Sequence, residues 1–503
     1  MVRKNVRRWS MVLCAGLALA CLLPPPALAG TPTKVVVGLN SDVRNFDPVN
    51  TLDTTTDRVI THIYEYLFVR DLDMKVTPLL AESGRPLDDL TWEVKLRKNV
   101  KFSDGEPFNA DTVKANLEYI VKKENNSARR VRIDLLKSVA VVDEHTVRIS
   151  TEKPFPTLLE GLTEIYMAPT RAIKTGPKVL TDKPIGTGPY KLQEWRREQG
   201  ITLVRNDGYW GPQPQIATVE FRIIPEVTAR VSALLAGEIH LTPDVPPQSM
   251  DQVAKSGSTE IQTVAGRRVI FVAFNTLQPG PLQDVRVRQA INYAVDVDKI
   301  IRTVMEGNAK RMVGPLSVIS RHLDPKLKPY TMDLGKAKGL LQQAGYSGAP
   351  ITLHTPNGRY LKDKEAAQAI ADQLTQAGLN VRLQVDEWGT LLDLVKTGKV
   401  EGMYFFGRSD TTLDGSMIRD WFRTGSTWVT YSDGKIDAAI DKALPIVNPD
   451  RRRQAFSELQ TEVQEQAPWL FLWTQVDIYG VNKNLQWQPR GDEQFNIKAA
   501  NWK

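Results

Sequence analysis

Cysteine is nearly absent from this chain. There are two, Cys14 and Cys21, and both fall within the first 29 residues. Without that stretch no thiol remains, which excludes disulfides, thiol catalysis and cysteine metal sites together. Histidine is scarce as well: His62, His145, His240, His322 and His354. No two of them stand at the spacing of a local metal pair such as H-E-x-x-H, and each is expected at a turn or on the surface. There is no G-x-S-x-G elbow and no G-x-x-x-x-G-K-[ST] phosphate loop. Gly186-Thr187-Gly188 begins like a dinucleotide motif but continues into Pro189-Tyr190 with no third glycine. It follows a proline-rich stretch and reads as a turn. Carboxylates are plentiful, yet sequence alone singles out no acid–base pair for glycoside hydrolysis. A chain of 503 residues without a catalytic cluster points to binding rather than catalysis.

Excess charge of one sign is also missing. The formal net charge is +7, but Arg3, Lys4, Arg7 and Arg8 supply four of those charges with no acid before residue 30. The rest carries +3 over 474 residues, too dilute for a nucleic-acid binder. Long apolar runs are confined to one place. Trp9–Leu23 (WSMVLCAGLALACLL) is about 15 residues, short of the roughly 20 needed to span a bilayer. A basic start, this apolar run, Pro24–Pro26 and then Ala27-Leu28-Ala29 make an export signal, with the mature chain expected to begin at Gly30. Ala18–Cys21 lacks the apolar residue of a lipoprotein site three places before the cysteine, and Arg7-Arg8 matches a twin-arginine signal only in the doublet. Sec export without a lipid anchor is expected, giving a periplasmic protein.

What is present is an ordinary globular composition, 42% apolar and 24% charged, enough for about three domain-sized units. Lys34–Leu39 reads as a buried strand. Thr54–Phe68 has helical spacing at Val59, Ile63 and Leu67. Hairpins are expected around Asp143–His145 and Gly200. A strand at Val219–Ile224 and a helix at Glu226–Ala236 stopped by Gly237 follow. Beyond about residue 266 the pattern becomes regular. Strands at Val269–Asn275, Ile351–His354, Asn380–Val385 and Met403–Phe406 alternate with helices. Those helices are capped at Asp284 and Asp333, run over Asp363–Ala377 and up to Lys396, and close with Asp450–Gln466. This alternation predicts an α/β unit with a mainly parallel sheet behind a hairpin-rich first half.

Several ordered stretches carry a resemblance. Leu90–Val113 (LTWEVKLRKNVKFSDGEPFNADTV), Ile185–Trp195 (IGTGPYKLQEW), Asn206–Gly211 (NDGYWG), Asp284–Ala294 (DVRVRQAINYA) and Asp333–Tyr346 (DLGKAKGLLQQAGY) resemble the signature segments of extracellular solute-binding proteins of the peptide/nickel/glutathione group, the receptors of ABC importers. The likeness runs over about residues 34–490. It implies a periplasmic binding protein-like α/β fold of two lobes joined by a two-strand hinge. Residues 1–29 would be the signal peptide. Residues 30–269 would form lobe one, with a subdomain inserted at about 65–185. Residues 270–474 would form lobe two, and 475–503 would return to lobe one. It also implies a monomer that needs no cofactor and makes or breaks no bond. Such a receptor would clamp a short peptide or glutathione-like solute and deliver it to membrane permease subunits. An opine, a sugar conjugate or a metal chelate are alternative cargoes, and a secreted hydrolase is the alternative of another class.

The same resemblance nominates ligand contacts. In peptide-binding members an aspartate of lobe two takes the amino end. Tyr404–Gly415 (YFFGRSDTTLDG) matches that place, with Asp414 aligned best and Asp410 second. Asp414 could equally cap a helix starting at Gly415. Where the group usually has Gly-Trp, this chain has Gly407-Arg408, a guanidinium suited to a carboxylate. Asn357–Tyr360 (NGRY) resembles a turn of the glutathione-like branch, which puts Arg359 and Tyr360 at the cleft. The arginine used by dipeptide binders does not carry over, because Lys364 or Glu365 stands there. Phe46–Asp53 resembles the lobe-one loop bordering the cleft, placing Asp53 at its rim. Trp388, Trp421 and Trp428 are candidate apolar walls.

Overall fold

The computed structural model describes Met1, residues 33–426 and residues 428–503. The expected export signal and both cysteines lie outside the described residues. Two long strands organise everything else: Thr259–Phe274 and Trp469–Asn482, paired antiparallel along nearly their whole length. At one end they join Leu241–Thr242, Lys34–Leu39, Thr218–Ile223 and the hairpin Tyr190–Arg196/Gly200–Arg205. At the other they join Met403–Ser409, Ile351–Thr355 and Val381–Val385. Their ladder is interrupted between Ala265 and Val269, opposite Val476 and Thr474. Gly266, Arg267 and Arg268 bulge there, and a bulge bends and twists its strand. The chain therefore crosses between the two halves twice, at about residues 266 and 475.

In the second half the crossing strand is buried on both faces, as strict alternation between two cores shows. Ile270, Val272 and Phe274 enter one, with Leu353, Ile370 and Leu374. Val269, Phe271 and Ala273 enter the other, with Leu391, Phe456 and Leu459. Such strands read as continuous apolar runs because neither face meets water. The helices Val285–Ala294 and Leu334–Gln343 start at Asp284 and Asp333, whose carboxylates accept from Arg286 N (2.8 Å) and Lys336 N (2.9 Å). Gly345 has φ +67°, the left-handed stop that the second helix requires.

The first half has its own core and a subdomain of four antiparallel strands, Ala81–Asp88, Thr91–Leu96, Thr146–Thr151 and Leu136–Asp143, beside the helix Ala110–Val121. Gly186 and Gly188 run against the backbone of His62–Tyr64, where a Cβ on Gly186 would strike the carbonyl of Ile63. Gly188 N donates to that carbonyl at 2.8 Å. The turn expected at these glycines is thus a seam where two chain segments touch.

Three expectations change. The sheet is mixed: parallel pairing in the second half is confined to Ile351–Thr355 with its two neighbours, while the crossing strands pair antiparallel. The helix in 54–68 stops at Ile60, because Ile63, Tyr64 and Leu67 are buried by tertiary contacts and not by one helical face. His62, His322 and His354 are buried rather than superficial. His62 carries its charge only below about pH 4, since burial disfavours the imidazolium.

Candidate functional site

Where the halves face each other across the crossing strands lies a cavity of about 710 Å³. One wall is Asn40, Thr54, Thr55 and Asp244–Pro246, the other is Asn357–Asp363, and Arg58, Arg268, Asp477 and Glu493 meet between them. Each wall is set by local rules. Asp53 caps the helix Thr54–Ile60, accepting from Thr56 N at 2.9 Å and Thr56 Oγ1 at 2.8 Å. That helix delivers Thr54, Thr55 and Arg58 to the cavity. Opposite, Asp363 opens the helix Asp363–Gln376 at 1% exposure. Its carboxylate accepts from the backbone N–H of Gly358 (2.9 Å), Arg359 (2.8 Å), Tyr360 (2.9 Å) and Lys364 (2.9 Å). One buried side chain so moulds the whole NGRY turn. Asp363→Ala should strand these donors at a cost of about 1–3 kcal/mol. Hydrogen exchange checks this: amides 358–360 should lose protection while the helix beyond Ala366 keeps it.

The moulded turn presents Arg359 outward. Its guanidinium stands 5.1 Å from the Tyr360 ring centre and 5.0 Å from that of Trp388. Tyr360 is buried, donates its hydroxyl to Gly407 O at 3.3 Å, and meets Trp388 edge-on at 5.9 Å. Trp388 continues to Phe406 at 5.4 Å. The arginine is thus braced by aromatic faces, with its fork exposed.

The base of the cavity is charged. Arg58, nearly buried, donates Nε–H to Glu493 O at 3.2 Å and lies 3.6 Å from Asp244. Arg268 sits 3.9 Å from Glu493. Asp477 accepts from Gln475 Nε2 at 2.9 Å through Oδ1, while its buried Oδ2 has no partner among the described residues. Burial, then the negative charge of Glu493, push the Asp477 carboxyl up to about 8. Its neighbour Glu493 is held below the usual range by Arg268, Arg267 and Arg58, which outweigh its burial. At neutral pH Asp477 therefore offers an O–H and Glu493 a carboxylate.

Of the residues expected at the site, Arg359 and Tyr360 line this cavity, and Trp388 braces them from behind. The others sit elsewhere. Asp414, 1% exposed, accepts from Ser416 N at 2.8 Å and from Arg452 Nη2 at 2.7 Å. It caps no helix, because the next one begins only at Ile418 with Met417 at its N-cap; the carboxylate instead closes a local turn and forms a buried ion pair within the second half. Asp410, fully buried, accepts from Ser320 Oγ (2.7 Å), Thr412 Oγ1 (3.1 Å) and Leu413 N (3.0 Å), and burial pushes it up to about 6. Arg408 donates to the carbonyls of Asp420 (3.3 Å) and Trp428 (3.1 Å). With Trp421 and Trp428 it surrounds a space of only about 10 Å³, the size of one water. Asp53 is a cap whose neighbours, not itself, reach the cavities. Arg58, Arg268, Asp477 and Glu493 were not anticipated. The one local hint was Arg267-Arg268 standing directly before the apolar run Val269–Phe274.

Two smaller cavities adjoin this region. One of about 370 Å³ lies within the first half, bordered by Arg70, Arg132, Glu164 and Arg267. Another of about 360 Å³ lies between Val131–Glu164 and Thr411–Pro445 and shares Arg132 and Glu164 with it.

The chain is 28% identical over 483 residues to the glutathione-binding protein GsiB of Salmonella typhimurium, covering 92% of each chain. It is 26% identical over 502 residues to that of Pectobacterium atrosepticum, covering 95% of each. Among solved structures it resembles the ABC transporter substrate-binding protein CtaP of Listeria monocytogenes (TM-score 0.86, 22% identity, 94% of this chain and 99% of that one). It also resembles NikA of Brucella suis in complex with Fe(III)-EDTA (TM-score 0.83, 26% identity, 93% and 100%). DppA of Helicobacter pylori in complex with the peptide STSA is similar too (TM-score 0.77, 24% identity, 94% and 98%). Residues 75–429 match the bacterial extracellular solute-binding proteins, family 5 Middle. With two halves joined by two crossing strands and a charged cavity between them, this chain belongs to that family of ABC-transporter solute-binding proteins.

Proposed function

We propose that this chain is the periplasmic capture component of an ABC importer, taking a short peptide or peptide-like solute between its lobes and handing it to the membrane permease. The observation that carries this reading is the cavity of about 710 Å³ lined from both halves across the crossing strands. That volume falls in the range of small-ligand sites. Its charged and hydrogen-bonding groups suit a zwitterion: Arg359 for a carboxylate, Glu493 and Asp244 for an amino group, and the protonated Asp477 as a further donor. The relatives that bind glutathione and the neighbour holding STSA agree in cargo class. A solute touching both walls favours the closed arrangement by its extra affinity for it, and that arrangement would signal the permease. The mature protein acts as a monomer, its leader removed near Ala29. Among the described residues no cluster of three His, Cys, Asp or Glu could hold a metal ion, so a chelate would be recognised through its organic ligand.

Glutathione or a tetrapeptide at about a hundred times its Kd should stabilise the protein by about 2.7 kcal/mol. For a chain of this size that raises Tm by about 2–3 °C, and Arg359→Ala should remove most of the shift. Mass spectrometry of solute released from freshly purified protein names the cargo. A sugar or opine there, with no shift from any peptide, would overturn the peptide reading within the same fold.

A further inference from the structure

Two guanidiniums share one carboxylate where the first lobe meets the second, and a third stands beside them at the same cavity. Arg70, 4% exposed, donates Nη2–H to Thr412 O (2.8 Å) and Thr411 O (3.4 Å), and Nη1–H to Met74 O (3.3 Å). Its hydrogen bonds all go to carbonyls. Arg132 lies 2.6 Å from Glu164 Oε2 and donates to Thr411 Oγ1 at 2.8 Å. Arg267, in the bulge of the crossing strand, lies 3.3 Å from Glu164 Oε1, and its buried Nε–H has no partner among the described residues. All three border the cavity of about 370 Å³.

The cations around this trio have their own partners. Arg490 pairs with Asp492 (2.6 Å), Arg129 with Asp57 (2.5 Å) and Arg321 with Glu160 (2.8 Å). On the far wall Glu65 accepts from Tyr209, Trp210 and Thr187 and faces Lys498. Asp71 also borders the space, so Arg70, Arg132 and Arg267 against Glu164 and Asp71 leave one positive charge in excess there. Burial and the charge of Arg267 both disfavour the ionised form of Arg70, and Glu160, Glu164 and Asp492 offset this only in part. Unbalanced buried charge is costly, and an anion in the space relieves it with charge-assisted hydrogen bonds. Arg70 and Arg132 also reach across to Thr411 and Thr412 of the second lobe, so an anion here would sit against the closed arrangement of the two.

We infer that the cavity between Arg70, Arg132 and Arg267 binds an oxyanion carried by the solute, a carboxylate or phosphate, so that the cargo class is acidic. This rests on the reading of the chain as a solute receptor. It deepens that reading, because the interlobe cavity takes the ends of any zwitterion whereas this one selects for an additional negative group.

The test is calorimetric titration of the mature protein with glutathione and with glutathione diethyl ester, which keeps the backbone but caps both carboxylates. A melting scan with inorganic phosphate alone accompanies it. Glutathione should bind at least about tenfold more tightly than the ester. Arg267→Gln and Arg70→Gln should each shrink that ratio severalfold while leaving the affinity for the ester within about twofold. Phosphate should raise Tm of the wild type but not of Arg267→Gln. Because Arg359 also meets a carboxylate, the glutathione–ester ratio reports on the trio through its change in the variants, while the phosphate scan of unmutated protein survives a variant that folds poorly. Binding of phosphate without any peptide would uphold the oxyanion site and remove the peptide cargo. Equal affinity for glutathione and its ester, with no phosphate effect, would overturn the oxyanion site and leave the receptor intact. A phosphate effect that persists in both variants, or no response to any probe, also overturns it.

Discussion

Arg452→Met is expected to lose about 3–5 kcal/mol of stability, read as a lower urea midpoint at pH 7. Arg452 is buried on the helix Pro449–Gln466. It donates to Asp414 Oδ2 (2.7 Å), Ser416 Oγ (2.7 Å) and the carbonyls of Leu444 (2.7 Å), Ile446 (3.2 Å) and Ala443 (3.3 Å). Methionine fills much of the volume but leaves the Asp414 carboxylate buried without its counter-ion. The pairing now outweighs burial and holds that carboxyl below the usual range. Asp414→Asn should also destabilise, and the double variant should cost less than the sum of the two, because each single change strands the other partner. Solute affinity measured on the folded fraction should be unchanged by Asp414→Asn. A variant of normal stability that has lost its ligand would instead make Asp414 the amino-end contact that the resemblance suggested.

Asp477→Asn should remove a large part of the protein's pH dependence. The folded carboxyl titrates near 8, against an ordinary value of 3.8. Between those values the folded protein keeps a proton that the unfolded chain has released. Stability therefore falls as pH rises from about 4 to 8, by up to about 1.4 kcal/mol per unit for this one group. Glu493 works in the opposite sense. Its folded value is depressed, so its contribution is present above its ordinary value of 4.5 and lost as the solution becomes more acidic. Urea unfolding at pH 5, 7 and 9 separates the two. The wild type should weaken steadily over this range, and Asp477→Asn should stay flatter and be the more stable at pH 9. Parallel curves would mean that Asp477 is ionised throughout, with Arg58 as its effective partner. The same titration bears on binding. Above pH 8 the cavity gains a negative charge and loses a donor, so affinity for a carboxylate-bearing solute should fall there.

Local pattern carried much of the architecture. The strand Lys34–Leu39 and the helices starting at Asp284, Asp333 and Asp363 follow from periodicity and caps that a few neighbouring residues define. The boundary near 266 was visible as a change of rhythm. The family was legible because its segments, such as Leu90–Val113, are contiguous. Strand direction was not legible. Alternating β and α elements suggested parallel pairing, but the crossing strands Thr259–Phe274 and Trp469–Asn482 meet across a long stretch of intervening chain and pair antiparallel.

The site divides in the same way. The sequence by itself determined a two-lobed member of the extracellular solute-binding family, and the resemblance of its NGRY turn nominated Arg359 and Tyr360; in the structure they line the cavity between the halves, on a turn moulded by Asp363. Tertiary structure alone decided which carboxylates and guanidiniums face the open space. Asp414 has the residue type and position of a ligand contact, yet Arg452, 38 residues further on, claims it. Arg58, Arg268, Asp477 and Glu493 have no common motif, and two crossing strands bring them together. A charge is committed or free according to what packs beside it, and that neighbour is fixed by the fold of the whole chain rather than by the residues adjacent in sequence.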